Sequence, residues 1–230
     1  MRNSSKPLGK SMSKEGIGDT LLGLSKNRIE TLTDNVFAFA MTLLVLTIHV
    51  PTLSPTLAST ELPYKIFSLW PKVLTYMVSF LILGVGWVGH HNLFHYIKRS
   101  DRLFLWINIA FLMGTAFVPF STSLFGTYPD TQAALLVFGI NTIANGALLL
   151  LSWMYATHNR RLVEKDLPQS VVRLVTKRIL SLMILFAMSM GLSYVNTKIT
   201  ICLYVLIPLA YIFPGGIDRY FFPAHSTSES

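Results

Sequence analysis

The sequence predicts an all-α integral membrane protein of six transmembrane helices, with both termini in the cytoplasm. Three observations point there. Of 230 residues, 52% are hydrophobic and only 13% charged, with a positive mean hydropathy, a balance foreign to a water-soluble globule. At roughly 20 residues per crossing, this length holds about six spans and leaves no room for a sizeable soluble domain. Finally, lysine and arginine concentrate in alternate connections between the apolar runs.

The elements follow in order. Residues 1–27, rich in Ser, Gly and Lys, contain no apolar run long enough for a signal peptide and read as a cytoplasmic tail. The first span runs from Ile29 to Val50 and ends at Pro51, where PTLSPTLASTELP, with three prolines, marks a loop. Further spans are expected at Phe67 to Phe94, Leu103 to Phe120, Gln132 to Tyr155, Ile179 to Val195 and Ile199 to Phe213. The membrane domain therefore covers residues 28–216, and residues 217–230 form a second cytoplasmic tail.

Basic residues orient this arrangement. With the N-terminus inside, the cytoplasmic side holds Arg2, Lys6, Lys10, Lys14, Lys26 and Arg28; Lys98, Arg99 and Arg102; Arg160, Arg161, Lys165, Arg173, Lys177 and Arg178; and Arg219. Only Lys65, Lys72 and Lys198 lie outside, as the positive-inside rule requires. A net charge of +8 spread over four segments without interleaved aromatics excludes a nucleic-acid stripe, so the partner implied is the lipid bilayer. The segment from Thr157 to Arg178 reads as a solvated basic loop near anionic headgroups. The single cysteine, Cys202, excludes a disulfide framework, a Cys-rich zinc site and an iron–sulfur cluster.

Polar residues inside the spans carry the functional information. Asp34 lies about one and a half turns inside the first helix and needs a partner, for which Arg28 and Thr33 are nearest, with polar residues of the second and third helices next. At about 100° per residue, Arg28, Leu32, Asn35, Phe39, Thr42 or Leu43, and Leu46 fall near one line, whereas Thr33 and Asp34 point away from it. Periodicity leaves two readings of this stripe open, ordinary helix packing and a pore lining.

The second helix ends in Gly84-Val85-Gly86-Trp87-Val88-Gly89-His90-His91-Asn92-Leu93-Phe94-His95. His91 and His95, at i and i+4, have the spacing of a metal or haem site, with His90 beside them, yet no zinc-protease glutamate lies between them. Histidines that hydrogen-bond to other helices are the competing reading. Asn108, Thr115, Asn141, Thr142 and Asn145 read as interhelical hydrogen-bonding groups. No carbonyl-filter sequence occurs, Gly215-Gly216 included, and no inverted halves with Gly/Pro-broken helices are present.

Taken together, RIETLTDNVFAFAMTLLVLTIHVP, GWVGHHNLF and LFLWINIAFLMGTAFVPFSTSLFG resemble the transmembrane protein 175 family over roughly Lys26 to Gly126. That family's hallmark, an Arg, three residues, then Phe-Ser-Asp, is matched by Arg28 followed by Leu32-Thr33-Asp34. Leu32 replaces the usual aromatic, Thr33 keeps the serine hydroxyl, and Asn35 stands where a small residue is common. The resemblance implies a potassium-permeable channel of the prokaryotic plasma membrane, a homotetramer around the first helix of each chain, with permeant potassium ions and no cofactor. It implies that Phe39 forms the narrowest hydrophobic point, with Thr42 and Leu46 lining the pore and Asn35 and Leu43 beside them, while Arg28, Thr33 and Asp34 hold the helices together and Trp87 and His91 join that network. Rings of Phe39 and Leu46 would form a dewetting gate, and Thr42 hydroxyls would replace part of the ion's hydration shell, giving weak selectivity. Two alternatives compete with this function: a proton-conducting relay through Asp34 and the histidines, and a haem- or metal-binding membrane protein built on His90, His91 and His95.

Overall fold

Helix α1, Lys26–Leu44, tightens into a 3-10 turn at Val45–Thr47 and then leaves helical geometry. The sequence had placed its end at Val50. Pro51 disfavours helical backbone at Val50, and Thr47 donates its hydroxyl to the Leu44 carbonyl within the turn. The computed structural model describes residues 26–212, so the two tails expected at 1–27 and 217–230 lie almost wholly outside the described residues, as do Arg219 and the expected end of the last span at Phe213.

Helix α2, Pro55–Phe67, occupies what the three prolines suggested was a loop. Pro55 stands in the first turn, where a missing N–H costs nothing, with Ser54 in extended geometry before it. Most of this helix is exposed. Helix α3, Trp70–Tyr96, is 27 residues long, roughly 40 Å at 1.5 Å per residue, enough to cross a hydrocarbon core. The third predicted span is two helices, α4 at Arg102–Ala116 and α5 at Val118–Thr127. Pro119 cannot donate to the carbonyl four residues back, so the chain breaks at Phe117 and continues beyond the expected end at Phe120. Helix α6, Gln132–Thr157, is another full-length apolar helix.

Helices α7, Gln169–Leu192, and α8, Thr197–Ile212, complete the chain. Four segments are long and apolar enough to cross a membrane: Lys26–Thr47, Trp70–Tyr96, Arg102–Thr127 and Gln132–Arg160, with Thr197–Ile212 a shorter apolar helix. Helix α7 starts ten positions before the predicted Ile179, because Arg173, Lys177 and Arg178 are helix formers as well as charges and do not break it.

One apolar core joins α1, α3, α4, α6 and α7 through Phe37, Leu44, Leu83, Phe94, Phe104 and Trp153. A second, at the other end of the bundle, gathers Phe125, Leu135, Phe138, Phe186, Tyr204 and Ile207. Tyr204 donates to the Leu135 carbonyl at 3.1 Å, and its hydroxyl lies against Gly139, where any Cβ would collide with it. Polar side chains tie the helices together: Thr122 donates to Ser79 Oγ at 2.8 Å, and Asn141 Nδ2 to Ser121 Oγ at 3.1 Å. Thr115 and Thr142 instead donate to their own i−4 carbonyls, at Phe111 and Phe138.

Within the segment from Thr157 to Arg178, expected as a solvated basic loop, residues 158–168 are clasped onto the α3–α4 turn. Lys98 N–H donates to the Leu162 carbonyl at 2.8 Å, Ile97 pairs with Val163 as an isolated antiparallel bridge, and Lys98 Nζ meets Glu164 Oε1 at 3.2 Å. Asp101 is the centre of the clasp. It caps α4 by accepting from Phe104 N–H at 2.9 Å, accepts from the Tyr155 hydroxyl at 2.7 Å, and pairs with Arg161 Nε at 3.0 Å. Burial alone would raise the Asp101 carboxyl, but these hydrogen bonds and the Arg161 charge outweigh it and hold it below its ordinary range. Asn159 and Arg160 take left-handed backbone geometry, φ 50° and 54°, to turn the chain into this contact.

Candidate pore-lining helix

Helix α1 has two faces of different character. Ile29, Thr33, Phe37, Ala40 and Leu44 recur every three or four residues and are buried against α3, α4 and α5. Phe37 is 2% exposed, its ring centroid 5.9 Å from that of Phe111, and Gly86 of α3 admits its edge, a Cβ there falling 3.6 Å from the ring. The opposite face carries Arg28, Leu32, Asn35, Phe39, Thr42, Leu43 and Leu46, all exposed, with Phe39 at 69% and Leu46 at 67%. The uncovered side is wider than the stripe picked out by the 100° periodicity and takes in Thr31, Asp34, Ala38 and Val45 as well. In a membrane-spanning bundle an apolar face meets lipid or another helix, and the polar Asn35 and Thr42 set this one apart from a purely lipid-facing stripe.

Local chemistry along that face is specific. Thr42 donates its hydroxyl proton to the Phe39 carbonyl at 2.9 Å. That bond leaves the hydroxyl's lone pairs as acceptors on the exposed side, the polarity a cation requires. Leu46 sits in the 3-10 turn, where each residue advances by about 120° instead of 100°. Its bearing relative to Phe39 therefore differs from the one a continuous α-helix predicts. Near the start of the helix, Asn27, Arg28, Thr31, Leu32 and Asn35 line a shallow depression of about 330 Å³.

The partner of Asp34 is on another helix. Trp87 Nε1 donates to Asp34 Oδ1 at 2.9 Å, and the Trp87 ring stacks on His91 with centroids 5.8 Å apart. Thr33 points a quarter turn away into the protomer, where its hydroxyl is buried without a hydrogen-bond partner, so it does not share a network with Asp34. Arg28 lies on the exposed face with Leu32 and Asn35, away from Thr33, and Glu30 pairs with Lys26 at 3.8 Å. The sequence pointed to the second helix as one source of a partner for Asp34, but with 53 positions between them only the family resemblance singled out Trp87.

The three histidines diverge. His90 is buried, bonded to Asn108 at 3.2 Å and stacked between Phe94 and Phe111, with Asn108 Nδ2 donating in turn to the Phe104 carbonyl. His91 and His95 are exposed, one on Trp87 and the other edge-on to Tyr96. Among the described residues no group of three or more His, Cys, Asp or Glu converges on a common point. Among the described residues the i, i+4 pair therefore has no third side chain of the kind a zinc site uses.

Comparison with known proteins bears on this geometry. Residues 28–119, from the start of α1 into α5, match the family model described as endosomal/lysosomal potassium channel TMEM175. A potassium channel of Streptomyces collinus is 30% identical over 190 residues, covering 81% of this chain and 91% of that protein. This chain belongs to the TMEM175 family. A second relative, a potassium channel of Chamaesiphon minutus, is 32% identical over 76% of this chain and 87% of its own length. The crystal structure of a lysosomal potassium-selective channel TMEM175 homolog from Chamaesiphon minutus superposes with a TM-score of 0.72 at 30% identity, over 81% of this chain and 95% of that one. The human endosomal/lysosomal proton channel TMEM175 is 25% identical over 66% of this chain and 30% of its own length. The TMEM175 family model ends at the second residue of α5, so it takes in both sides of the Trp87–Asp34 bond.

Proposed function

We propose that this chain forms a potassium-permeable channel in which the exposed face of α1, contributed by four copies, lines a central pore. The observation that carries the reading is the uncovered stripe of Leu32, Asn35, Phe39, Thr42, Leu43 and Leu46, set on a helix whose other face is locked into the bundle. The bacterial relatives named as potassium channels support the choice of ion and a prokaryotic plasma membrane as its place. Six crossings with both termini cytoplasmic are part of the proposal, with α7 and α8 as the last two.

In this pore Phe39 and Leu46 form hydrophobic rings that expel water when narrow and close the path. Between them the Thr42 hydroxyls, their protons committed to the Phe39 carbonyls, present oxygen lone pairs to the ion. Potassium surrenders its hydration shell more readily than sodium, so partial replacement by hydroxyls favours it moderately without a rigid carbonyl cage. Trp87, bonded to Asp34, anchors the entrance of α1 to α3 in every copy. Arg28 at the helix start belongs to the entrance rather than to the packed face.

Cysteine accessibility tests the lining. In a Cys202→Ser background, Leu46→Cys is expected to make flux sensitive to a charged methanethiosulfonate reagent, while Val88→Cys, exposed on α3, leaves it insensitive. Equal sensitivity at both positions, or none at either, rejects the assignment of α1 to the pore. The proton-conducting alternative draws on the chain Asp34–Trp87–His91 and on the human relative's description as a proton channel. Reversal potentials across a pH gradient separate the two, since a potassium pore follows the potassium gradient alone.

A further inference from the structure

Behind α1 the bundle holds a half-open cavity of about 480 Å³ between α3, α6, α7 and α8, within the range of sites that hold small amphiphiles. Its wall is largely apolar, and Phe37, on the packed face of α1, is part of it. Arg178 lines it as well. The Arg178 guanidinium lies 5.8 Å from the Tyr211 ring centroid, and the Tyr211 hydroxyl donates to the Arg178 backbone carbonyl at 2.9 Å. The Tyr211 ring lies against the cation beside the cavity, and its hydroxyl ties α8 to the α7 backbone there. Arg173 and Lys177 extend the positive charge along the exposed side of the same half of α7.

An apolar chamber next to a fixed guanidinium, in a protein bounded by lipid, matches a molecule with an anionic head and a hydrocarbon tail. We infer that this cavity is an intrasubunit site for one anionic phospholipid, its phosphate held by Arg178 and one acyl chain lying along α3 against Phe37. Basic pockets between membrane helices recognise such headgroups by charge, while the chain gains by leaving its neighbours only if the chamber fits it. Because Phe37 backs the helix proposed to line the pore, an occupant presses on the face opposite Phe39. That consequence rests on the pore reading; the binding itself does not.

Gly84 supplies a clean variant, since a Cβ at that position meets nothing within 4 Å. The experiment is native mass spectrometry of the purified full chain after exchange into phosphatidylglycerol or phosphatidylcholine. Expected is retention of one phosphatidylglycerol per chain in preference to phosphatidylcholine, reduced at least tenfold in Arg178→Gln and in Gly84→Phe, and unchanged in Gly84→Ala and Lys198→Gln. Should Gly84→Phe fail to fold, Leu182→Trp fills the chamber from the opposite wall. Equal retention of the two lipids, phosphatidylglycerol retention that survives both the Arg178 and the cavity-filling variants, or no retained lipid because the chain fills its own cavity, overturns the assignment. Potassium flux measured in parallel reports on the pore, so loss of binding with flux retained leaves the pore reading intact, and loss of flux with binding retained leaves the site intact.

Discussion

Phe37 and Phe39 stand two residues apart on α1 and face opposite ways, the first 2% exposed in the protomer core and the second 69% exposed on its bare face. The pair ties the two halves of the account together. Phe37 holds α1 against Phe111 and the Gly86 gap, and that fixes the direction in which Phe39 projects. Truncating Phe37 to Ala should cost about 3–5 kcal/mol of stability, the usual range for a buried phenyl ring, and lower the thermal midpoint in detergent. Phe39→Ala, by contrast, should leave that midpoint nearly unchanged.

Thr42 should set selectivity through its oxygen rather than its shape. Thr42→Val keeps the volume and removes the lone pairs, and losing a polar contact worth about 1 kcal/mol corresponds to roughly a fivefold fall in the potassium to sodium permeability ratio. Thr42→Ser should retain most of the wild-type ratio. Bi-ionic reversal potentials in planar bilayers make the comparison.

The Trp87–Asp34 bond should be measurable as a coupling. Trp87→Phe keeps a ring on His91 but loses the N–H, and a hydrogen bond to a carboxylate contributes about 1.5–3 kcal/mol, less where water reaches it. In a double-mutant cycle with Asp34→Asn, the combined loss should fall short of the sum of the two single losses. Strict additivity would show that the bond contributes nothing.

Acid should loosen the clasp around Asp101. Its carboxyl is held below the ordinary value in the folded chain, so its contribution is present above the unfolded pKa and is lost as pH falls through the folded one. Unfolding midpoints measured from neutral pH downward should therefore fall across and below the carboxylate range. Asp101→Asn should be less stable at neutral pH and flatter over the same interval.

Much of α1 was legible in the sequence because its periodicity is undisturbed from Ile29 to Leu44: five buried positions alternate with the exposed stripe at the helical repeat. What escaped notice followed from geometry that composition does not encode. The prolines of 51–63 read as breakers, yet Pro55 opens a helix, and Pro63 lies inside it. The 3-10 turn moves Leu46 by about 40° around the axis while leaving it on the exposed face. Arg173, Lys177 and Arg178 looked like loop residues but ride on α7. Thr33 was grouped with Asp34 as its neighbour in sequence, and the helix turns the two hydroxyl and carboxylate groups to different surroundings. The cavity behind Phe37 depends on seven helices meeting and has no local signature at all.

Ion flux through purified protein in liposomes, under a potassium gradient and then an equal sodium gradient, tests the central claim most directly when wild type is set against Phe39→Ala. Lowering the barrier at the narrowest ring by about 1.4 kcal/mol would raise flux about tenfold, and the predicted result is faster flux with a smaller preference for potassium. Identical flux and an identical potassium to sodium ratio in the two proteins would contradict a pore lined by α1 and return its exposed stripe to ordinary packing.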